Sequence, residues 1–129
     1  MNRQCEILVK SANETVAVCI DKQNRDEIIS YVSQSENHLK NFKLIIQLIL
    51  EGGCNSDWYY KASENGKFPD VMTMNIMLGR SSGKIYCKEQ TINGQNVVVL
   101  TEIHEKSKNR TKQTNSTIEK ITSYEYEIG

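Results

Sequence analysis

The dipeptide Asn93-Gly94 lies between two apolar runs, and it constrains the fold of this chain more than any other feature. Both residue types accept the positive φ angles that a two-residue hairpin turn requires. Before the turn, Lys84 to Glu89 alternates polar and apolar residues; after it, Asn96 to His104 contains the consecutive apolar residues 97–100. Alternation indicates a strand with one buried face, and a continuous run indicates a strand buried on both faces. The sequence therefore predicts a central antiparallel pair.

Further periodic patterns lie before this hairpin. Val71 to Leu78 alternates apolar and polar residues, which predicts another strand beside the pair. Between Asn37 and Glu51 apolar residues recur at helical spacing, and Gly52-Gly53 supplies a stop signal. Asn24 and Glu27 have the spacing of a capping box, so a shorter helix is predicted to begin there.

The two ends of the chain carry weaker signals. Cys5 to Lys10 and Thr15 to Ile20 are typical of short strands. Near the other end, Thr111 or Ser116 can cap a last helix. Residues 124–128 alternate tyrosine or isoleucine with glutamate, so the tail could equally be extended.

These patterns lead to a prediction for the whole chain. A length of 129 residues is most simply one domain, residues 1–129. The two helices would form a hairpin whose apolar stripe needs a sheet to lie on. The predicted class is α+β, with an N-terminal helical hairpin packed on a small antiparallel sheet and a closing C-terminal helix.

Charge is unevenly distributed along this formally neutral chain. Residues 79–112 contain seven lysines and arginines against three acidic residues, whereas residues 1–70 contain eight against ten. A positive patch on a neutral protein suggests an anionic partner, with nucleic acid as the leading candidate. A strand edge kept soluble by lysines is an equally good interpretation of charge alone.

The cysteine spacing and the distribution of apolar residues bear on disulfides, metal sites and membrane segments. The cysteines at positions 5, 19, 54 and 87 show no CxxC pairing, and most lie in or beside apolar runs, so neither a disulfide nor a metal site is predicted. No window is apolar enough for a membrane span, and the N-terminus lacks the pattern of a signal peptide. We expect a cytoplasmic protein without metal or cofactor.

The segment VVVLTEIHEKSKNRTKQTNSTIEKI, residues 97–121, resembles the RelE/HigB family of bacterial type II toxins, in particular its phage-derived HigB-like branch. The likeness is an apolar strand that runs into a lysine-rich Ser/Thr segment and a helix. The predicted order of elements extends it over most of the chain.

This resemblance implies a function. Family members enter the ribosomal A site, cut mRNA and are held inactive by an antitoxin, here expected to be a helix-turn-helix protein. Cleavage uses attack of the ribose 2′-hydroxyl on the adjacent phosphorus, which needs a base, cationic donors for the phosphoryl oxygens and an acid for the leaving oxygen.

The resemblance and the positive patch together nominate site residues. Arg80, Lys84 and Lys106 would contact the scissile phosphate, and His104 would act as base or acid because imidazole titrates near neutral pH. Additional RNA contacts are predicted at Lys61, Tyr86, Lys88, Lys108, Arg110 and Lys112. On the other reading, His104 is a strand-end residue bonded to its neighbours.

Two departures from the family pattern keep alternatives open. Met72-Thr73-Met74-Asn75 stands where the family often has Glu-x-Arg, and Glu105 stands in place of the first lysine of a Lys-Lys pair. A catalytically weakened relative, a gyrase-directed relative and a plain interaction module therefore compete with the nuclease.

Overall fold

The computed structural model of this chain describes residues 2–52, 57–63, 67–76, 84–104 and 110–129. In chain order, the elements within these ranges are β1 (Asn2–Lys10), β2 (Val16–Asp21), α1 (Arg25–Val32), α2 (Glu36–Leu50), β3 (Tyr59–Lys61), β4 (Val71–Met74), β5 (Lys84–Ile92), β6 (Gln95–His104), α3 (Arg110–Thr122) and β7 (Glu125–Ile128).

All of these strands belong to one sheet, whose order is β3-β4-β5-β6-β2-β1-β7. The sheet is mixed: β2 pairs parallel with β6 and β1 pairs parallel with β7, while the other neighbouring pairs are antiparallel. The described helices lie between strands in the chain, α1 and α2 between β2 and β3 and α3 between β6 and β7.

The predicted architecture of a helical hairpin on a small antiparallel sheet is therefore wrong. The N-terminal segments that had been expected as short strands are β1 and β2, and they add to the sheet instead of standing beside it. The chain also ends in a strand after α3, not in a closing helix. Local patterns identify a strand, but they do not specify which partner it pairs with, and here the partners are distant in sequence.

The central hairpin is confirmed. Asn93 and Gly94 have φ angles of 51° and 77°, the left-handed conformation that their residue types tolerate at a tight turn. The strands on either side pair antiparallel from Ile92 opposite Gln95 to Lys84 opposite His104.

Both predicted helices of the N-terminal half also form. The side chain of Ser35 accepts a hydrogen bond from the backbone N–H of His38 and so caps α2, which ends before Gly52 at a φ of 79°. α1 begins after Asn24, but the Asn24 side chain donates to the carbonyl oxygen of Thr101 and does not cap the helix.

The sheet is covered on both faces. On one face, side chains of β2, β4, β5 and β6 pack with α1 and α2, the largest buried residues including Ile20, Ile28, Ile45, Met74 and Leu100. On the other face, Ile118 and Ile121 of α3 pack with a second cluster that includes Cys5, Cys19, Val97 and Val99. We call these the α1/α2 face and the α3 face.

The terminal strand β7 is fixed to the sheet by a buried polar network. The fully buried carboxylate of Asp21 accepts from Arg3 Nε and from the hydroxyl of Tyr126, each at 2.7 Å. Its other oxygen accepts from the backbone N–H groups of Gln23 and Asn24. Because every member has a partner, the network stabilises the β1–β2–β7 edge.

Candidate functional site

Polar and aromatic side chains form a row across four strands on the α3 face. Tyr60 of β3 lies opposite Thr73 of β4, Thr73 lies opposite Tyr86 of β5, and Tyr86 lies opposite Glu102 of β6. One step further along the same face, Lys84 lies directly opposite His104. Directly opposed residues have their Cβ atoms about 5 Å apart.

Side-chain contacts join these residues into one group. The rings of Tyr86 and His104 have centroids 5.3 Å apart and are tilted by 38°. The ammonium of Lys84 lies 5.7 Å from the centroid of the Tyr60 ring, within the range of a cation–π contact. Tyr60, Lys84 and His104 are partly exposed, whereas Tyr86 is buried. Tyr86 therefore supports the imidazole from beneath.

Glu102 adds a carboxylate to this group, and Lys120 of α3 holds it. Lys120 Nζ donates to Glu102 Oε1 at 3.0 Å, and this hydrogen bond raises the pKa of Lys120. The second oxygen, Oε2, is buried and has no hydrogen-bond partner among the residues that the structure describes. A buried acceptor without a partner is unusual and needs an explanation. We refer to Tyr60, Lys84, Tyr86, Glu102, His104 and Lys120 together as the His104 cluster.

An irregularity in β6 brings Glu102 and His104 to this face. The register shifts by one residue, so that Tyr86 pairs with Glu102 while Cys87 pairs with Leu100, and Thr101 is the extra residue. Without this bulge, the alternation of side chains would turn Glu102 towards α1 and α2. Thr101 is fully buried, and its hydroxyl donates to the carbonyl oxygen of Tyr86 at 2.7 Å. The Asn24 side chain bonds the Thr101 carbonyl from the other side.

Lys88, predicted to bind RNA, has a structural role instead. It is only 7% exposed, and its ammonium donates to the carbonyl oxygens of Thr122 and Tyr124 and lies 3.6 Å from an Asp70 carboxylate oxygen. A cation close to the C-terminus of a helix interacts favourably with the last carbonyl groups, as the Lys88 ammonium does at the end of α3. Its charge is thus used inside the fold.

Lys61, the other predicted RNA contact near this edge, lies away from the His104 cluster. It pairs in register with Met72, on the α1/α2 face, and its ammonium donates to the carbonyl oxygen of Pro69. It lines a groove of about 730 Å³ that also includes Val16, Ile49, Tyr59 and Glu89. Successive side chains of a strand point to opposite faces of the sheet, so Lys61 and the adjacent Tyr60 lie on different faces.

The side chains of the remaining nominated residues are not among those that the structure describes. Arg80, Lys106 and Lys108 lie outside the described residues, and Arg110 and Lys112 are placed only as backbone positions in α3. Of the nominated set, the structure therefore brings together Lys84, Tyr86 and His104.

Sequence reasoning did not nominate Glu102 or Lys120. The pattern did place Glu102 on one face with His104. Lys120 was hidden because its partner is eighteen residues away and belongs to another element. The sequence alone leaves Trp58, Tyr59 and Tyr60 open between core packing and base stacking, and only the strand register separates the three.

Comparison with protein-family models, with curated proteins and with solved structures finds no match to this chain. The resemblance of residues 97–121 to toxins thus stays a hypothesis from sequence. Within the described residues, no group of three or more His, Cys, Asp or Glu side chains is arranged to hold a metal ion. No described helix is both long enough and apolar enough to cross a bilayer.

The His104 cluster offers the groups that general acid–base chemistry on a phosphodiester requires. Lys84 supplies a cation, His104 supplies a group that can give or take a proton, and Glu102 supplies a carboxylate held in place by Lys120. Reactions of this kind need such groups within hydrogen-bond reach of one reacting centre.

Proposed function

We propose that this chain is an RNA endonuclease that cuts by attack of the ribose 2′-hydroxyl on the adjacent phosphorus, with the His104 cluster as its active site. The observation that carries the proposal is the register of β5 and β6, which places Lys84 opposite His104 and Tyr86 opposite Glu102 on one face. A cation, an imidazole and a carboxylate thereby share one small surface.

The proposed roles follow from the chemistry of each group. Glu102, whose partly exposed side chain is held by Lys120, accepts the proton of the 2′-hydroxyl. Lys84 stabilises the negative charge that develops on the phosphoryl oxygens. His104, supported by the ring of Tyr86, donates a proton to the 5′ leaving oxygen. These steps use side chains alone.

The wider biological setting belongs to the same proposal and rests on the resemblance of residues 97–121. In this setting, the chain is the toxin of a type II toxin–antitoxin system that acts in the cytoplasm on mRNA in the ribosome. A helix-turn-helix antitoxin encoded nearby would hold it inactive. The fold expected from the same resemblance was wrong, so the setting draws no support from architecture.

A second candidate function is RNA binding without cleavage. It is favoured by Met72-Thr73-Met74-Asn75, which brings no cation to the strand beside Lys84. A catalytically weakened or gyrase-directed relative, or a plain interaction module, would keep a basic surface and lack turnover.

Controlled expression with a translation readout tests the proposal. The wild-type chain is expected to stop growth and protein synthesis, and Lys84→Ala is expected to relieve both because the phosphate loses its cation. Lys40→Ala removes an exposed lysine from α2, on the opposite face, and serves as the matched control. Continued translation with raised DNA-damage responses would favour the gyrase-directed reading, and harmless expression of the folded wild type would contradict toxicity.

A further inference from the structure

Three consecutive aromatic residues, Trp58, Tyr59 and Tyr60, have different environments. Trp58 packs against the core beneath α1 and α2. Tyr59 is 5% exposed, and its hydroxyl donates to Glu89 at 2.6 Å. Tyr60 alternates with Tyr59 along β3, so it lies on the α3 face, and it remains partly exposed. One aromatic ring of the three is therefore presented beside the His104 cluster.

The position of Tyr60 relative to Lys84 is that of a base platform beside a phosphate site. Its ring lies 5.7 Å from the Lys84 ammonium, which places an aromatic face and a cation next to each other. β3 is the edge strand of the described sheet, so no further strand pairs beside Tyr60, and the side chain of Tyr60 is partly exposed. Aromatic rings next to cations are the usual means by which proteins hold single-stranded nucleic acid.

We propose that Tyr60 stacks on an unpaired base next to the phosphate bound by Lys84, so that the substrate is single-stranded RNA. This inference rests on the proposed function and adds to it the residue that contacts a base of the substrate. In a duplex both faces of a base are already stacked, and the ring would have to displace a neighbouring base. Tyr86 does not serve this purpose because it is buried.

Fluorescence anisotropy with a short, unstructured 2′-O-methyl oligonucleotide tests the inference, because this probe lacks the attacking hydroxyl and stays intact. Tyr60→Leu keeps an apolar side chain but removes the aromatic face, and we expect it to weaken binding about tenfold, the range of one base–aromatic stack. Tyr60→Phe is expected to bind within about twofold of the wild type on the same grounds. Tyr59→Phe, altered at the buried neighbour, is the matched control.

A series of oligonucleotides with one abasic nucleotide at successive positions sharpens the test. For the wild type, an abasic nucleotide at one position should weaken binding as much as the Tyr60→Leu substitution does. The same abasic nucleotide should not weaken binding by Tyr60→Leu any further. Equal affinity for a duplex of the same sequence would overturn the inference.

The outcomes separate the two proposals. If Lys84→Ala weakens binding while Tyr60→Leu binds like the wild type, the phosphate site stands and the stacking role of Tyr60 is refuted. If the folded wild type binds no RNA at all, both proposals fail.

Discussion

Glu102 is held through one oxygen only, and that asymmetry defines its proposed role at the residue scale. Oε1 is bonded to Lys120, while Oε2 is buried and finds no hydrogen-bond partner in the described part of the chain. Asp21, by contrast, uses both oxygens, with Arg3, Tyr126 and two backbone amides as donors. The contrast supports a chemical role for Glu102.

Conservative substitutions of Glu102 and His104 distinguish an effect on the cleavage rate from an effect on RNA affinity. We expect Glu102→Gln and His104→Asn each to lower the cleavage rate by about 10²- to 10⁴-fold, the usual contribution of one general acid or base. RNA affinity should change little, because Lys84 and Tyr60 remain. Single-turnover cleavage and anisotropy measure the two effects. A loss of affinity equal to the loss of rate would assign both residues to binding.

Tyr126 gives the fold a predictable response to alkaline pH. Burial and its hydrogen bond to Asp21 raise the pKa of Tyr126 well above that of a free tyrosine. The folded state therefore retains the phenolic proton longer than the unfolded state does. The stability that Tyr126 contributes is complete below about pH 10, the ordinary tyrosine value, and is lost as pH rises through the raised folded pKa.

The Tyr126→Phe variant isolates this contribution. At pH 7 it is expected to lose about 1 kcal/mol of unfolding free energy, the usual contribution of one hydrogen bond. Above about pH 10 the difference from the wild type should shrink, because only the wild type has a phenol to ionise. Urea unfolding from pH 7 to 11 measures it. A difference that stays constant over this range would contradict the assignment.

At the scale of elements, the bulge at Thr101 determines which face of β6 carries Glu102 and His104. Thr101→Val keeps the shape of the buried side chain but removes the donor to the Tyr86 carbonyl. We expect a loss of about 1–3 kcal/mol in unfolding free energy. The cleavage rate should fall by more than this loss of stability explains, because Glu102 and His104 shift together. Thr91→Val, at an exposed position of β5, is the control. Unchanged cleavage in a destabilised Thr101→Val protein would separate the bulge from the site.

The sequence predicted elements better than it predicted their partners. Asn93-Gly94 and the helical spacing of residues 37–51 are local signals, so the hairpin and α2 could be read from them. The bulge was missed because Thr101 accepts a hydrogen bond from Asn24 and donates one to Tyr86, and both partners are distant in sequence. The alternation of residues 124–128 allowed β7, but nothing local indicated that it pairs with β1.

At the scale of the whole molecule, the α3 face of the sheet carries two groups of polar side chains. One group stabilises the fold, and the other is the proposed site. Around Lys88 and Asp21, every charge is engaged by carbonyl groups, carboxylates or hydroxyls, and those residues hold α3 and β7 in place. Around His104, the side chains of Tyr60, Lys84 and His104 are partly exposed, and Glu102 Oε2 has no hydrogen-bond partner within the described ranges. The sequence predicted Lys84 at the scissile phosphate and Lys88 as a further RNA contact, because burial cannot be read from a lysine in an alternating strand.

The chemistry of the RNA ends tests the central claim most directly. Purified protein is incubated with ribosomes programmed with a defined mRNA, and the new 3′ ends are examined. The account predicts fragments with 2′,3′-cyclic phosphate ends, none when a 2′-deoxynucleotide replaces the nucleotide before the cut, and almost none with His104→Asn. Cleavage that persists at the deoxy position, or that is equal in wild type and His104→Asn, would contradict it.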